Sequence, residues 1–451
     1  MKTSCTLARH SLSNCIPYCA PDAHHCAKCT VSDCDLLSQS SIVSLISFLR
    51  GCTGNEARCS HPGLSLIHPL EPHESVRFRH ALQHQQLAER PLEESHVIRQ
   101  RDALSKLPNY RQGASPETDD VVKLSSNEVP FEPLAAVKQA IAAEIDTANI
   151  YPDMMATALR ERLAQKHDID PMQIAVGAGS VEVASQLIAA TCDEGDEVLF
   201  AWRSFEAYPV MALTHGAEPV MVPLTEDERH DFDAMAAAIT DKTRLIIICN
   251  PNNPTGATCS HAEVEAFMQK VPKDVLVVID EAYEHFNRDP ETALGLDFFK
   301  RYDNVAVLHT FSKAYGLAGL RVGYAIAPIE VCDNLRKVCV PFAVTALAQR
   351  AACASLDAED ELSERIEQLV SERERVIEQV RETGWNVVDS HGNFFWLRLN
   401  EDTERVLGVL FEYGVLSRPF HGEGLRITIG DPAANDRVVH ALRAAHELVS
   451  A

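Results

Sequence analysis

Short apolar runs alternating with helix-period stretches constrain the fold of this 451-residue chain more than any other feature. Glu197–Ala201, Glu218–Val222, Leu245–Cys249, Val275–Asp280 and Val305–Leu308 are too short for helices and suit strands buried on both faces. Ile174–Val176 is a shorter run of the same kind. Leu134–Ile145, Ala156–Lys166, Val181–Thr191, Phe232–Ile239 and His261–Lys270 have helical character. This alternation predicts an α/β fold, with a mostly parallel central sheet and helices on both faces. After about residue 328 the texture changes. Ile329–Leu356 and Glu359–Thr383 read as long helices, and strand-like Asn393–Leu399 and Leu425–Ile429 follow, a pattern expected of a smaller α+β domain. The expected organisation is an N-terminal arm over 97–133, a large domain over 134–328 and a C-terminal small domain over 329–451.

Residues 1–96 differ in character. They hold 8 of the 14 Cys and 9 of the 19 His, and are expected to form a poorly ordered Cys/His/Ser-rich extension. The competent fold is expected to begin near Val97, where a valine codon can act as a start. Cys26-x-x-Cys29 beside His24 and His25 offers part of a zinc site, but no second pair stands at finger spacing, so no metal is expected. The six later Cys show no framework spacing and read as reduced thiols of a cytoplasmic protein. A net charge of −24 argues against a nucleic-acid partner. No run of 18 apolar residues is present to span a membrane.

Three polar signals each follow a strand-like run: Asn250-Pro251-Asn252-Asn253-Pro254-Thr255-Gly256, Asp280-Glu281-Ala282-Tyr283, and Thr310-Phe311-Ser312-Lys313. Such ends lie together on the ligand edge of an α/β sheet. By itself Asp280 could equally cap the next helix. With Tyr283 three residues on and Lys313 after the next strand, it matches the needs of pyridoxal 5′-phosphate. The lysine amine bonds the cofactor's aldehyde, and a carboxylate keeps the ring nitrogen protonated. Arg321 taken alone reads equally as an ordinary surface arginine; beside Ser312 it would make a phosphate clamp, and Gly177-Ala178-Gly179-Ser180 would offer a helix N-terminus to the same phosphate. A plain strand-to-helix turn explains those glycines equally well. The prolines around Asn250 stiffen its turn.

On these motifs, residues 97–451 resemble a fold-type I pyridoxal-phosphate aminotransferase of the histidinol-phosphate aminotransferase branch. Gly179-Ser180-Val181, Trp202–Pro209 and Lys337–Phe342 are more similar to the actinobacterial aromatic (phenylalanine) aminotransferases. The resemblance implies that Lys313 bonds the cofactor and Asp280 faces its ring nitrogen. It implies that Asn250 and Tyr283 bond the phenolic oxygen and that Phe205 stacks on the ring. Arg321, Ser312, Thr310 and Ala178, Gly179 and Ser180 would hold the phosphate. Tyr151 would reach the phosphate of a neighbouring subunit in a homodimer. Arg426 would bind the substrate carboxylate, near Asn127. The implied substrates are an amino acid and a 2-oxo acid, the former aromatic; the alternative is histidinol phosphate, for whose phosphate Arg418 is a candidate cation. A decarboxylase on the same fold and a regulator with an aminotransferase-like domain are the remaining readings.

Overall fold

The computed structural model describes residues 120–450, with Arg101 and Leu107. The Cys26/Cys29 pair, the reading of residues 1–96 and most of the arm before residue 120 lie outside the described residues. The strands are β1 (Val122–Lys123), β2 (Ile174–Gly177), β3 (Glu197–Trp202), β4 (Glu218–Pro223), β5 (Thr243–Cys249), β6 (Leu276–Asp280), β7 (Val305–Thr310), β8 (Gly323–Ile326), β9 (Phe394–Arg398), β10 (Val415–Leu416), β11 (Arg418–Phe420) and β12 (Gly424–Thr428).

Seven of them form one sheet in the order β2-β8-β7-β6-β5-β3-β4. The pairs β3–β4, β3–β5, β5–β6 and β6–β7 are parallel, whereas β8 runs antiparallel to both its neighbours. Side chains alternate across each strand, so a sheet covered on both faces needs apolar residues at nearly every position. Leu245, Ile247, Leu276, Val278, Ala306 and Leu308 enter one core, with helices Ser180–Thr191 and Ala207–His215. Ile246, Ile248, Val277, Ile279, Val305 and Val307 enter the other, with helices Thr157–His167, His261–Met268 and Glu359–Glu382.

Two local readings need correction. Ile329–Leu356 is not one helix but two, Ile329–Val338 and Ala346–Asp357. Pro341 lies in the gap; it lacks an N–H and drives the preceding residue toward extended backbone, so helix cannot run through. Helix Ala207–His215 is absent from the sequence reading because its near-continuous apolar run shows no polar face; Tyr208, Met211 and Ala212 are buried. Pro209 stands in its first turn, where a missing N–H is harmless.

The C-terminal part carries the antiparallel sheet β11-β12-β9, while β1 pairs in parallel with β10. Beyond β1 the chain is tied in at Leu124, whose N–H donates to Leu416 O (2.8 Å) and whose carbonyl accepts from Thr428 (2.9 Å). That tether carries Ser125–Asn127 toward the ends of β5, β6 and β7.

Candidate active site

The parallel register sets the first wall of the site. Cys249 of β5 is opposite Asp280 of β6, and Asp280 is opposite Leu308 of β7, so the three signals after these strands emerge side by side. Asp280 is buried. Its Oδ2 accepts from the Tyr208 hydroxyl at 2.6 Å and its Oδ1 from Ala282 N–H at 3.2 Å. Burial pushes the carboxyl pKa up, and those two donors and His309 oppose the rise.

Lys313 Nζ donates to the carbonyls of Ser126 (3.0 Å) and Asn127 (3.2 Å) and lies 5.7 Å from the centre of the Tyr283 ring. Removal from water, and then the positive charge of Arg426, lower its pKa to about 7. The amine is thereby half-neutral near neutrality, as a nucleophile requires. The Tyr283 hydroxyl accepts from Asn127 Nδ2 at 2.9 Å, and burial raises its pKa to about 12. Asn127 adopts a left-handed backbone (φ 54°), which asparagine tolerates better than most residues, and Thr428 bonds both its N–H and its side-chain oxygen.

Arg426 is buried and donates to Asn253 Oδ1 (2.6 Å) and to Ser125 O (2.7 Å). It comes from β12, so Asn127, Tyr283, Lys313, Asn253 and Arg426 converge from five separate segments. The expected role of Asn250 does not match its surroundings. Its amide donates to Ala293 O (2.9 Å) and its oxygen accepts Cys259 N–H (2.9 Å), so the group clamps two loops. Asn253, three residues later, is the asparagine that reaches the site.

Arg321 has a left-handed backbone (φ 53°), and its guanidinium bonds Ser312 Oγ (3.1 Å) and Ala318 O (3.1 Å) beside Ala178 O (3.5 Å). Gly179 (φ 88°) lies under it, and a Cβ there would collide with the guanidinium. Thr310 Oγ1 accepts from Ser312 N–H at 3.1 Å. The turn amides differ from expectation: Ala178 N–H donates to the Glu182 carboxylate and Gly179 N–H to Gly177 O (2.8 Å). What this corner offers an anion is therefore mainly Arg321, Ser312 and the start of helix Ser180–Thr191. Phe205 is half-buried and edge-on to Tyr208, with centroids 5.5 Å apart.

Two predicted residues stand apart. Tyr151 is 79% exposed, its ring 4.6 Å from Phe342. Arg418 is the register partner of Arg426, but Glu206 holds it at 2.9 Å. Behind Asp280, His309 lies 3.1 Å from Glu284 and 3.5 Å from Glu281. Burial favours the neutral imidazole, yet these carboxylates outweigh it and raise the pKa.

Residues 119–442 match the family of class I and II aminotransferases. This chain belongs to that family. The aromatic amino acid aminotransferase of Cutibacterium acnes is 52% identical over 342 residues, covering 76% of this chain and 97% of that one. The aromatic amino acid aminotransferase of Streptomyces coelicolor is 52% identical over 338 residues, covering 74% and 94%. Among solved structures, histidinol-phosphate aminotransferase from Sinorhizobium meliloti in complex with pyridoxal-5′-phosphate aligns with a TM-score of 0.72 at 24% identity, over 79% of this chain and all of that one. N-succinyldiaminopimelate aminotransferase from Mycobacterium tuberculosis aligns with a TM-score of 0.66 at 26% identity, covering 72% and 93%. The fold is that of the fold-type I aminotransferases, and the family's cofactor is pyridoxal 5′-phosphate. The residues present fit that group: a buried carboxylate, a desolvated lysine and a guanidinium over a glycine that admits no side chain.

Proposed function

We propose that this aminotransferase exchanges the amino group of an aromatic amino acid, phenylalanine or tyrosine, with a 2-oxo acid such as 2-oxoglutarate. The observation that carries the choice of substrate is the pairing of Arg418 with Glu206. Histidinol phosphate needs a cation for its phosphate, and the candidate cation is already matched by a carboxylate. The names and half-identity of the relatives point the same way. Aromatic side chains Phe394 and Trp396 back the Arg426 face of the β9–β12 pair, as an aromatic substrate would favour.

When bound, pyridoxal phosphate supplies an aldehyde and an electron-withdrawing ring. Lys313 would bond that aldehyde, give way to the substrate amine and then take the proton from the substrate α-carbon on Nζ. Asp280 would hold the ring nitrogen, Asn253 and Tyr283 the phenolic oxygen, and Phe205 a ring face. Arg321, Ser312, Thr310 and the turn at Ala178–Ser180 would bind the phosphate. Arg426 would take the substrate carboxylate as a bidentate partner, with Asn127 fixing Tyr283 beside it. Tyr151 would serve the site of a second copy. Its exposure, with exposed Ile150 and Met154 beside it in the chain and exposed Phe342 against its ring, supports a homodimer. We read residues 134–328 as the cofactor-binding domain and 329–451 as the small domain. A cytoplasmic location fits the free Cys192, Cys249, Cys259, Cys332, Cys339 and Cys353; among the described residues no helix is long and apolar enough to cross a membrane.

The test is a comparison of kcat/KM for phenylalanine and histidinol phosphate with 2-oxoglutarate as acceptor. Phenylalanine should win by at least about tenfold, the discrimination that one well-placed contact supplies. A preference for histidinol phosphate would overturn the reading.

A further inference from the structure

Phe205 and Tyr208 come from one turn at the start of helix Ala207–His215, and Tyr208 N–H bonds Phe205 O at 3.0 Å. Sequence reasoning gives Phe205 a role and Tyr208 none. Yet Tyr208 is 1% exposed, and its hydroxyl crosses to β6 to donate to Asp280 Oδ2 at 2.6 Å. Phe200 (5.5 Å, 58°) and Phe205 (5.5 Å, 88°) fix the ring on two sides. No bulk water reaches this pair, so the phenol supplies a hydrogen bond that solvent would otherwise give.

We propose that Tyr208 is a positioning residue that holds Asp280 in its anionic form, so that the proton between Asp280 and the cofactor's ring nitrogen stays on the ring. This rests on the assignment of Asp280 to that nitrogen. The physical conflict is local. Burial alone favours a protonated Asp280, and a neutral carboxyl would leave the ring uncharged and a poorer electron sink. The phenol donor stabilises the charged carboxylate more than the neutral acid, because a hydrogen bond to an ionised acceptor is the stronger one. Ala282 N–H, at 3.2 Å on the other oxygen, is the weaker donor. No bond to carbon is made or broken by Tyr208; it sets only which heteroatom keeps one proton.

The experiment loads the enzyme with pyridoxal phosphate labelled with nitrogen-15 in the ring and follows that resonance by NMR, beside steady-state kinetics with phenylalanine. Tyr208→Phe should move the resonance from the protonated toward the unprotonated position. It should lower kcat about ten- to a hundredfold, the range of a hydrogen bond to a charged group, and leave KM near its starting value. In an Asp280→Asn background the same substitution should change neither resonance nor kcat further, because its route of action is gone. A wild-type resonance and kcat in Tyr208→Phe overturns the proposal. If Asp280→Asn itself leaves the resonance unmoved, the assignment of Asp280 fails, a result distinct from failure at Tyr208. Site-specific 3-fluorotyrosine at position 208 separates bonding from shape. It is nearly isosteric and a better donor, so the resonance should stay at the protonated position. Movement toward the unprotonated position with this variant also overturns the proposal.

Discussion

The two walls of the site are built on different principles. On the first, backbone register does the placing: Asp280 sits opposite Cys249 and Leu308, and anything after those strand ends must lie nearby. On the second, register treats two arginines alike and the opposite wall separates them. Arg418 and Arg426 are paired across β11 and β12 and share a face. Arg426 donates to an amide oxygen, Asn253 Oδ1, and to a backbone carbonyl, Ser125 O, both neutral acceptors. Arg418 meets Glu206, and the two charges cancel. The chemistry of an arginine here depends on what stands across the cleft, not on its place in its strand.

The sharpest test of the register-built wall is Lys313→Ala. It should reduce turnover at least about a thousandfold and abolish the visible absorption that the lysine–cofactor bond gives, because nucleophile and base are one group. Next comes the contrast within the second wall. Arg426→Ala should lower kcat/KM for phenylalanine by about 10²–10³, as expected for two charge-assisted hydrogen bonds, and Arg418→Ala by less than about tenfold. Equal losses would erase the distinction between the two arginines. The asparagines follow. Asn253→Ala should reduce kcat by about tenfold, the worth of one hydrogen bond at the reacting group. Asn250→Ala should leave kcat nearly intact but destabilise by about 1–3 kcal/mol, since Cys259 N–H and Ala293 O lose their partner. Thermal denaturation beside kinetics separates these outcomes. The smallest effect is on pH. The Lys313 pKa is depressed to about 7, so its neutral form dominates above that and is lost below it. Association of the cofactor-free enzyme with pyridoxal phosphate should therefore quicken as pH rises through about 7 and then level off, with about a tenfold fall per pH unit below. A midpoint near that of an ordinary lysine would mean that the pocket does not desolvate the amine.

Much of the first wall was legible because strand ends announce themselves. Val275–Ile279 is apolar without interruption, and Asp280 ends it; Leu245–Cys249 likewise runs apolar up to Asn250, and Val305–Leu308 up to His309. Antiparallel β8 was not legible, because a four-residue apolar strand carries no mark of its direction. Helix Ala207–His215 was hidden for the opposite reason: it is apolar on nearly every side and shows no period. The choice of Asn250 over Asn253 went wrong because spacing counts residues and cannot see that two nearby backbone groups already use the Asn250 amide.

By itself the sequence determined the alternating layers and which polar residues, Asp280 and Lys313 among them, emerge past the ends of neighbouring strands, since these follow from local apolar runs and the residues that end them. Only the tertiary structure decided which asparagine meets Arg426, which arginine meets a carboxylate, and that the Tyr208 hydroxyl meets Asp280. Those outcomes depend on groups brought within 3 Å from segments 72 to 301 residues apart in the chain. Hydrogen bonds and ion pairs act over such distances in space, and no pattern in sequence separation encodes them.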